Sequence, residues 1–170
     1  MAKMGWIVYA TDTPTVISAV LRPNVSRNVT KPGSIHVREL DWTVEPEKFV
    51  WDDEQVIASP SLPTRSSAGT VPRFDLILTA DTVYEPELIQ PLLRTLHTLC
   101  RQSTPHPPIL VCLERRDPTL IDRMLLSARE DWRFQVERIP HRKVAKSLKE
   151  DGIEWSKDDW EGVEIWKFTL

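Results

Sequence analysis

The feature that most constrains this fold is a repeated order, in which a short apolar run ends at an acidic residue. Four runs end in this way, at Asp12, Asp41, Asp81 and Glu114, and helical patterns follow three of them. Alternation of strands and helices predicts an α/β fold with a mostly parallel, doubly wound sheet. Because parallel strands of one sheet end at the same edge, where such sheets bind ligands, the four acids indicate a site.

Turn residues and hydrophobic periodicity divide the rest of the chain. Strands are predicted at 6–11, 35–40, 74–80, 109–113, near 132–138 and at 163–168, and helices are predicted to open at Thr13, Glu85 and Asp117. Residues 52–73 are rich in proline and serine, and we expect a mobile surface loop within one domain of residues 1–170. Residues 141–160 are charged, and we expect a solvated excursion without a clear helix before the last strand.

Composition excludes several classes of function. A net charge of -3 argues against a nucleic-acid-binding face, and no apolar stretch is long enough for a membrane span. Cys100 and Cys112 are expected to be reduced thiols of an intracellular protein, and no metal-ligand spacing occurs. The five glycines lie far apart, so no phosphate-cradling or dinucleotide fingerprint is present.

Two of the strand ends suit a nucleoside. Asp12, placed between a strand and a helix, can accept hydrogen bonds from both ribose hydroxyls, although helix capping explains it equally well. At the next strand end, the indole of Trp42 can stack on a flat base while Asp41 accepts from its exocyclic amine. Core packing of the tryptophan is the simpler alternative for that pair.

The two later strand ends suit an amine. Asp81 follows an intensely apolar strand, and its carboxylate can hold or deprotonate an amine, with Tyr84 one helical turn away as a channel wall. The alternative is a capping aspartate with a partly buried tyrosine. Residues 114–117 include both acidic and basic side chains and are best explained as a self-satisfied surface cluster, in which these opposite charges pair with each other. Glu114 can also line the site. Trp155 and Trp160 could cover the sheet edge or form a partner surface.

The segments 10–12, 40–42 and 74–84 resemble, in order, motifs of the seven-strand lysine methyltransferase family often called family 16. Residues 37–42, 113–117 and 163–167 look closest to its methyltransferase-like protein 22 branch. This resemblance implies a Rossmann-like, S-adenosylmethionine-dependent methyltransferase fold with strand order 3-2-1-4-5-7-6 and an antiparallel last strand. It also implies methyl transfer to a lysine of a protein substrate, by a monomer when complete, in the cytoplasm or nucleus.

The resemblance also assigns roles at the strand ends. The cofactor's nucleoside and the strand end beside it would be contacted by Asp12, Asp41, Trp42 and Ala80. Asp81 and Tyr84 would face the incoming lysine. No metal takes part.

The chain departs from the family pattern at its beginning. Gly5 is typical of the residue after a helix, so the family's first strand, Gly-rich loop and most of the next helix would precede residue 1. We therefore expect a fold truncated at the N-terminus, with weak binding of S-adenosylmethionine. An incomplete sequence is the preferred explanation, and a degenerate, non-catalytic interaction module is the alternative. A nicotinamide-dependent enzyme is disfavoured by the missing glycine fingerprint.

Overall fold

The strands of this chain form two hydrogen-bonded sheets, where the sequence predicts one. The structure, a computed structural model, describes residues 1–28, 35–61, 69–153 and 161–170. It divides into two compact units, Met1–Pro72 and Arg73–Leu170, with one sheet in each. The boundary falls within residues 52–73, where the sequence predicts a loop inside one domain. That residues 1–170 make a single methyltransferase domain stays a prediction.

The sheet of the first unit is entirely parallel. Its strands, in spatial order, are β1 (Val8–Asp12), β2 (Ile35–Leu40) and β3 (Val56–Ala58). Val8 is opposite Ile35, and Asp12 is opposite Glu39, so β1 and β2 end at the same edge. The predicted positions of β1 and β2 are therefore confirmed to within about two residues.

Strand β3 is a correction to the sequence prediction, because it lies inside the segment 52–73 that we expect to be loop. Its three residues are apolar and include two β-branched side chains, which favour a strand. Ile57 and Ala58 are each 1% exposed, and Ile57 accepts a backbone hydrogen bond from Val50 at 2.8 Å. Residues 62–68 of the predicted loop lie outside the described part of the chain.

The helical part of the first unit begins after Thr13, as predicted, and extends to Asn28. Ala2–Met4 form a 3₁₀ turn closed by Gly5 in the left-handed conformation, with φ of 89°. After β1 come α1 (Pro14–Val16), a π-helical turn (Ile17–Leu21) and α2 (Arg22–Asn28). Pro23 lies inside α2 and does not end the helical segment. Proline has no N–H to donate to the preceding turn, and the wider π-helical turn before it accommodates that loss.

The sheet of the second unit is mixed. Its strands are β4 (Ile77–Ala80), β5 (Ile109–Glu114), β6 (Gln135–Ile139) and β7 (Val163–Thr169). The spatial order is β4-β5-β7-β6, in which β4 and β5 are parallel and β7 is antiparallel to both of its neighbours. This order equals the 4-5-7-6 half implied by the resemblance. The predicted fold class, a mostly parallel α/β fold with an antiparallel last strand, is confirmed.

Two amphipathic helices provide most of the buried apolar surface of the second unit. Helix α3 (Ile89–Gln102) follows a 3₁₀ turn at Pro86–Leu88, and α4 (Pro118–Glu130) follows Asp117, whose carboxylate accepts the Leu120 N–H at 3.0 Å. The buried residues of these helices include Leu92, Leu93, Leu96, Leu99, Ile121, Met124 and Leu125. Each large apolar side chain buried in this way contributes roughly 1.5–3 kcal/mol.

Helix α5 (His141–Glu150) is a second correction, because the sequence predicts a charged excursion without a clear helix over residues 141–160. Residues 141–150 contain no glycine, and their only well-placed apolar pair is Val144 and Leu148, four residues apart. None of its side chains is fully buried, so the hydrophobic pattern is faint. Residues 154–160, with both tryptophans of the excursion, lie outside the described residues.

Candidate active site

Asp12 lies at the carboxyl edge of the first sheet, as the last residue of β1. Its Oδ1 accepts hydrogen bonds from the backbone N–H of Thr13 at 2.7 Å and from the Thr13 hydroxyl at 3.4 Å. Its Oδ2 has no hydrogen-bond partner among the residues that the structure describes. The bonds of Oδ1 are to the N-cap residue Thr13 and not to an N–H inside the helix, and they leave Oδ2 available to a ribose hydroxyl.

Asp41 and Trp42 form the turn that follows β2. The backbone N–H of Asp41 donates to Ala58 at 3.0 Å, and its Oδ1 accepts from the N–H and hydroxyl of Thr43 at 2.8 and 2.6 Å. These bonds make an Asx turn, which fixes the direction of the chain. Trp42 is half-buried, so one part of the indole surface remains accessible.

The strand register brings these residues of the first unit together. Asp41 is two residues beyond Glu39, the register partner of Asp12. With about 4.8 Å between strands and about 3.3 Å per residue, the Cα atoms of the two aspartates are roughly 8 Å apart. The residues predicted to face the nucleoside, Asp12, Asp41 and Trp42, thus lie at the same edge of one sheet.

Asp81 follows β4 in a conformation that few side chains adopt. Its φ is 54°, in the left-handed region, and its N–H donates to the carbonyl of Cys112 at 3.0 Å. The hydroxyls of Thr79 and Thr82 are 2.6 Å apart and bridge the turn around it. A non-glycine residue in this region costs on the order of 1 kcal/mol, so the neighbouring bonds hold Asp81 and the preceding Ala80 in place.

The carboxylate of Asp81 lies beside a cation that the sequence does not assign to the site. Arg116 donates to Glu114 Oε2 at 2.8 Å from Nε and 2.5 Å from Nη2, and its Nη1 is 3.7 Å from Asp81 Oδ2. Glu114, and then Asp81, raise the pKa of Arg116. The predicted self-satisfied cluster at 114–117 is confirmed in the Glu114–Arg116 pair. Sequence reasoning could have found the contact between Arg116 and Asp81, because residues that follow two neighbouring parallel strands lie close together.

Tyr84 is placed differently from the expectation of one helical turn after Asp81. Residues 81–85 are not helical, and Glu85 is extended, with φ of -131° and ψ of 130°. The side chain of Tyr84 is 59% exposed. Proline at position 86 explains the difference, because it disfavours the helical conformation in the residue before it.

Cys112 lies on β5 opposite Ala80, close to the acid at the end of β4. Burial raises the pKa of the Cys112 thiol, and the negative charge of Asp81 raises it further. The thiol therefore stays protonated at neutral pH. A protonated thiol is a poor nucleophile and a poor metal ligand.

A buried ion cluster supports the end of β5. Glu164 on β7 is 5% exposed and accepts from Arg115 at 3.0 and 3.2 Å and from the Trp166 indole at 2.9 Å. It also forms an ion pair with Arg138 at 3.1 Å. Burial alone would raise the pKa of Glu164, but these donors hold it below its ordinary value. Arg115 directly precedes Arg116, so the cluster fixes the turn that presents Arg116. Sequence reasoning missed Glu164 because apolar and polar residues alternate along its strand, and an acid in such a strand is expected on the solvent-facing side.

The predicted site residues thus form two groups, one in each unit. Asp12, Asp41 and Trp42 share the edge of the first sheet, whereas Ala80 and Asp81 lie at the end of β4 with Tyr84 just after. That the two groups make one site stays a prediction. Within the described ranges, no three histidine, cysteine or acidic side chains are grouped to hold a metal ion, and no helix there is long and apolar enough to cross a membrane.

Comparison with known families gives one match. Residues 63–130, about two fifths of the chain, match the model of a family described as lysine methyltransferase. The matched segment includes β4, the Asp81 turn, α3, β5 and α4. No curated protein matches the chain. The match supports a methyltransferase of the lysine methyltransferase family.

Proposed function

We propose that this chain carries the substrate-facing part of an S-adenosylmethionine-dependent protein-lysine methyltransferase of the methyltransferase-like protein 22 branch. The observation that carries the proposal is Asp81, an exposed acid fixed in a left-handed turn at the end of β4. This turn lies inside the segment that matches the lysine methyltransferase family. An acid held in a costly conformation at a strand end is typical of a functional position.

The residues of the first unit fit the nucleoside end of this cofactor. Asp12 has one carboxylate oxygen available, as a ribose hydroxyl requires, and Trp42, after the end of the neighbouring strand, presents part of a flat apolar ring. Ala80 is small and exposed, which allows close approach at the end of β4. When bound, S-adenosylmethionine supplies a methyl group activated by its sulfonium.

For a lysine to react, its amine must be neutral. With an ordinary pKa near 10.4, deprotonation at pH 7 costs about 4–5 kcal/mol, which burial of the amine in a narrow site reduces. Asp81 would hold and orient the amine, and Tyr84 would shape its approach. The arriving ammonium would take the place of Arg116 beside Asp81, and Arg116 would keep its closer partner, Glu114.

The test is methyl transfer by the full-length protein. With labelled S-adenosylmethionine and a cell extract as acceptor, we expect labelled protein lysines. Asp81→Asn should lower the rate by roughly 100-fold or more, a typical effect of a positioned acid or base. Asp75→Asn is the matched control, since Asp75 is also exposed and lies just before β4. It should retain the wild-type rate.

An unchanged rate for Asp81→Asn, with labelling intact in the wild type, would contradict the role of Asp81. Absence of both labelling and cofactor binding would favour the non-catalytic interaction module. Calorimetry with S-adenosylmethionine and S-adenosylhomocysteine measures that binding directly. Tyr84→Phe should retain most of the rate, and Tyr84→Ala should raise KM, if the ring contributes shape and not its hydroxyl.

A further inference from the structure

A groove in the first unit is lined by positive side chains that the proposed reaction does not use. It lies between α2 and the first four residues of β2 and has a volume of 870 Å³. Its charged lining consists of Arg22, Arg27, Arg38 and Glu54, together with the imidazole of His36. The groove follows the beginning of β2, whereas Asp41 follows the end of that strand, so it is separate from the nucleoside-facing edge.

Arg38 is the innermost of these cations and is only 7% exposed. Its Nη1 donates to the carbonyl of Trp51 at 2.9 Å, and its guanidinium lies 5.1 Å from the centre of the Tyr9 ring. Its Nε has no hydrogen-bond partner in the described chain. No carboxylate there pairs with it. A buried charge without a counter-ion is costly, so an anion from outside would stabilise this arrangement.

The other cations of the groove are also uncompensated. Among the residues described, none forms an ion pair with Arg22 or Arg27, and Glu54 lies beyond ion-pair distance of all three arginines. The imidazole of His36 stacks on Tyr9, with ring centres 5.0 Å apart, which fixes its orientation beside Arg38. The hydroxyl of Ser26 donates to helix carbonyls, so the side chains left to donate to a ligand are the arginines and the histidine.

We propose that this groove binds a small anion that carries phosphate groups. Guanidinium groups bind phosphate through paired, charge-assisted hydrogen bonds, and three of them around one groove match a multiply charged anion. The volume falls within the range of small-molecule sites. The net charge of -3 for the chain disfavours an extended polyanion such as a nucleic acid. The proposal does not depend on methyltransferase activity.

The experiment is calorimetric titration of the full chain with inorganic pyrophosphate. We expect one binding site per chain. The double variant Arg22→Gln/Arg27→Gln removes the charge-assisted hydrogen bonds of both arginines to the anion. It should therefore raise Kd about tenfold to hundredfold. Both side chains are exposed, so this variant should fold. The matched control, Arg123→Gln/Arg142→Gln, removes the same charge from exposed positions on α4 and α5 and should leave Kd unchanged.

Thermal unfolding provides a second measurement, because an anion that binds only the folded protein raises Tm. Pyrophosphate should raise the Tm of the wild type and of the control variant, but not that of the groove variant. A phosphoserine peptide distinguishes the source: binding of that peptide alone, with loss in the groove variant, assigns the phosphate to a partner protein. No binding of either probe, equal weakening in both double variants, or equal binding of a glutamate peptide overturns the proposal.

Discussion

At the scale of single residues, the backbone conformation of Asp81 makes a prediction about stability. Asparagine and aspartate tolerate the left-handed region better than alanine does, and glycine tolerates it best. We therefore expect Asp81→Asn to leave the free energy of unfolding within about 0.5 kcal/mol of wild type and Asp81→Ala to lower it by about 1 kcal/mol. Urea denaturation measures both, and a stability for Asp81→Ala above that of Asp81→Gly would contradict the strained geometry.

The contact between Cys112 and Asp81 makes a second prediction. Because burial and the Asp81 carboxylate both raise the pKa of the thiol, its reaction with a thiol reagent at neutral pH should be slow and should accelerate only in alkaline solution. Asp81→Asn removes the charge and should shift this acceleration to lower pH. Both proteins carry Cys100→Ser, so that the thiol measured is that of Cys112. Cys100 itself is fully buried. An identical pH profile in both backgrounds would show that the two groups do not interact.

At the scale of elements, Glu164 on β7 contacts Arg115, just after β5, and Arg138 on β6. Its pKa is lowered in the folded protein, so its contribution to stability is complete above the ordinary value of 4.5 and is lost as pH falls through the lower, folded value. Glu164→Gln should lower stability near neutral pH by about 1–3 kcal/mol, because charged donors lose their partner. The difference from wild type should shrink as the solution becomes more acidic.

Denaturation at a series of pH values measures this difference. Glu137→Gln on β6 is the matched control, because Glu137 is exposed. It should show the pH dependence of the wild type. A constant difference for Glu164→Gln across the series would mean that the carboxylate charge does not stabilise this sheet.

Among the elements, those with strong periodicity were predictable from the sequence. Helix α4 shows apolar spacing together with a capping aspartate and a proline at its first position, and all three signals agree. Strand β3 was missed because three residues are too few to show alternation, and only pairing with β2 stabilises them. Helix α5 was missed because its side chains have almost no buried face. Pairing and exposure are tertiary properties, which local sequence patterns do not contain.

At the scale of the whole molecule, the topology of each sheet makes the positions of its strand ends predictable. The positions of Asp12, Asp41 and Asp81 at strand ends follow from apolar runs that stop at an acid. The attachment of Arg116 to both Glu114 and Asp81 required coordinates, because side-chain reach decides it. The groove around Arg38 is hidden from sequence reasoning for another reason. A net charge of -3 averages over the chain and does not reveal a local excess of arginine.

The antiparallel strand β7 lies between β5 and β6, although it follows both along the chain. A ribosome that has translated β6 but not yet residues 163–169 therefore carries a nascent chain whose two strands lack their shared neighbour. Synthesis proceeds at about 5–20 residues per second, so the gap lasts on the order of seconds. During that interval the apolar side chains of β5 have only their helices and β4 as cover, and completion of this sheet awaits translation of β7.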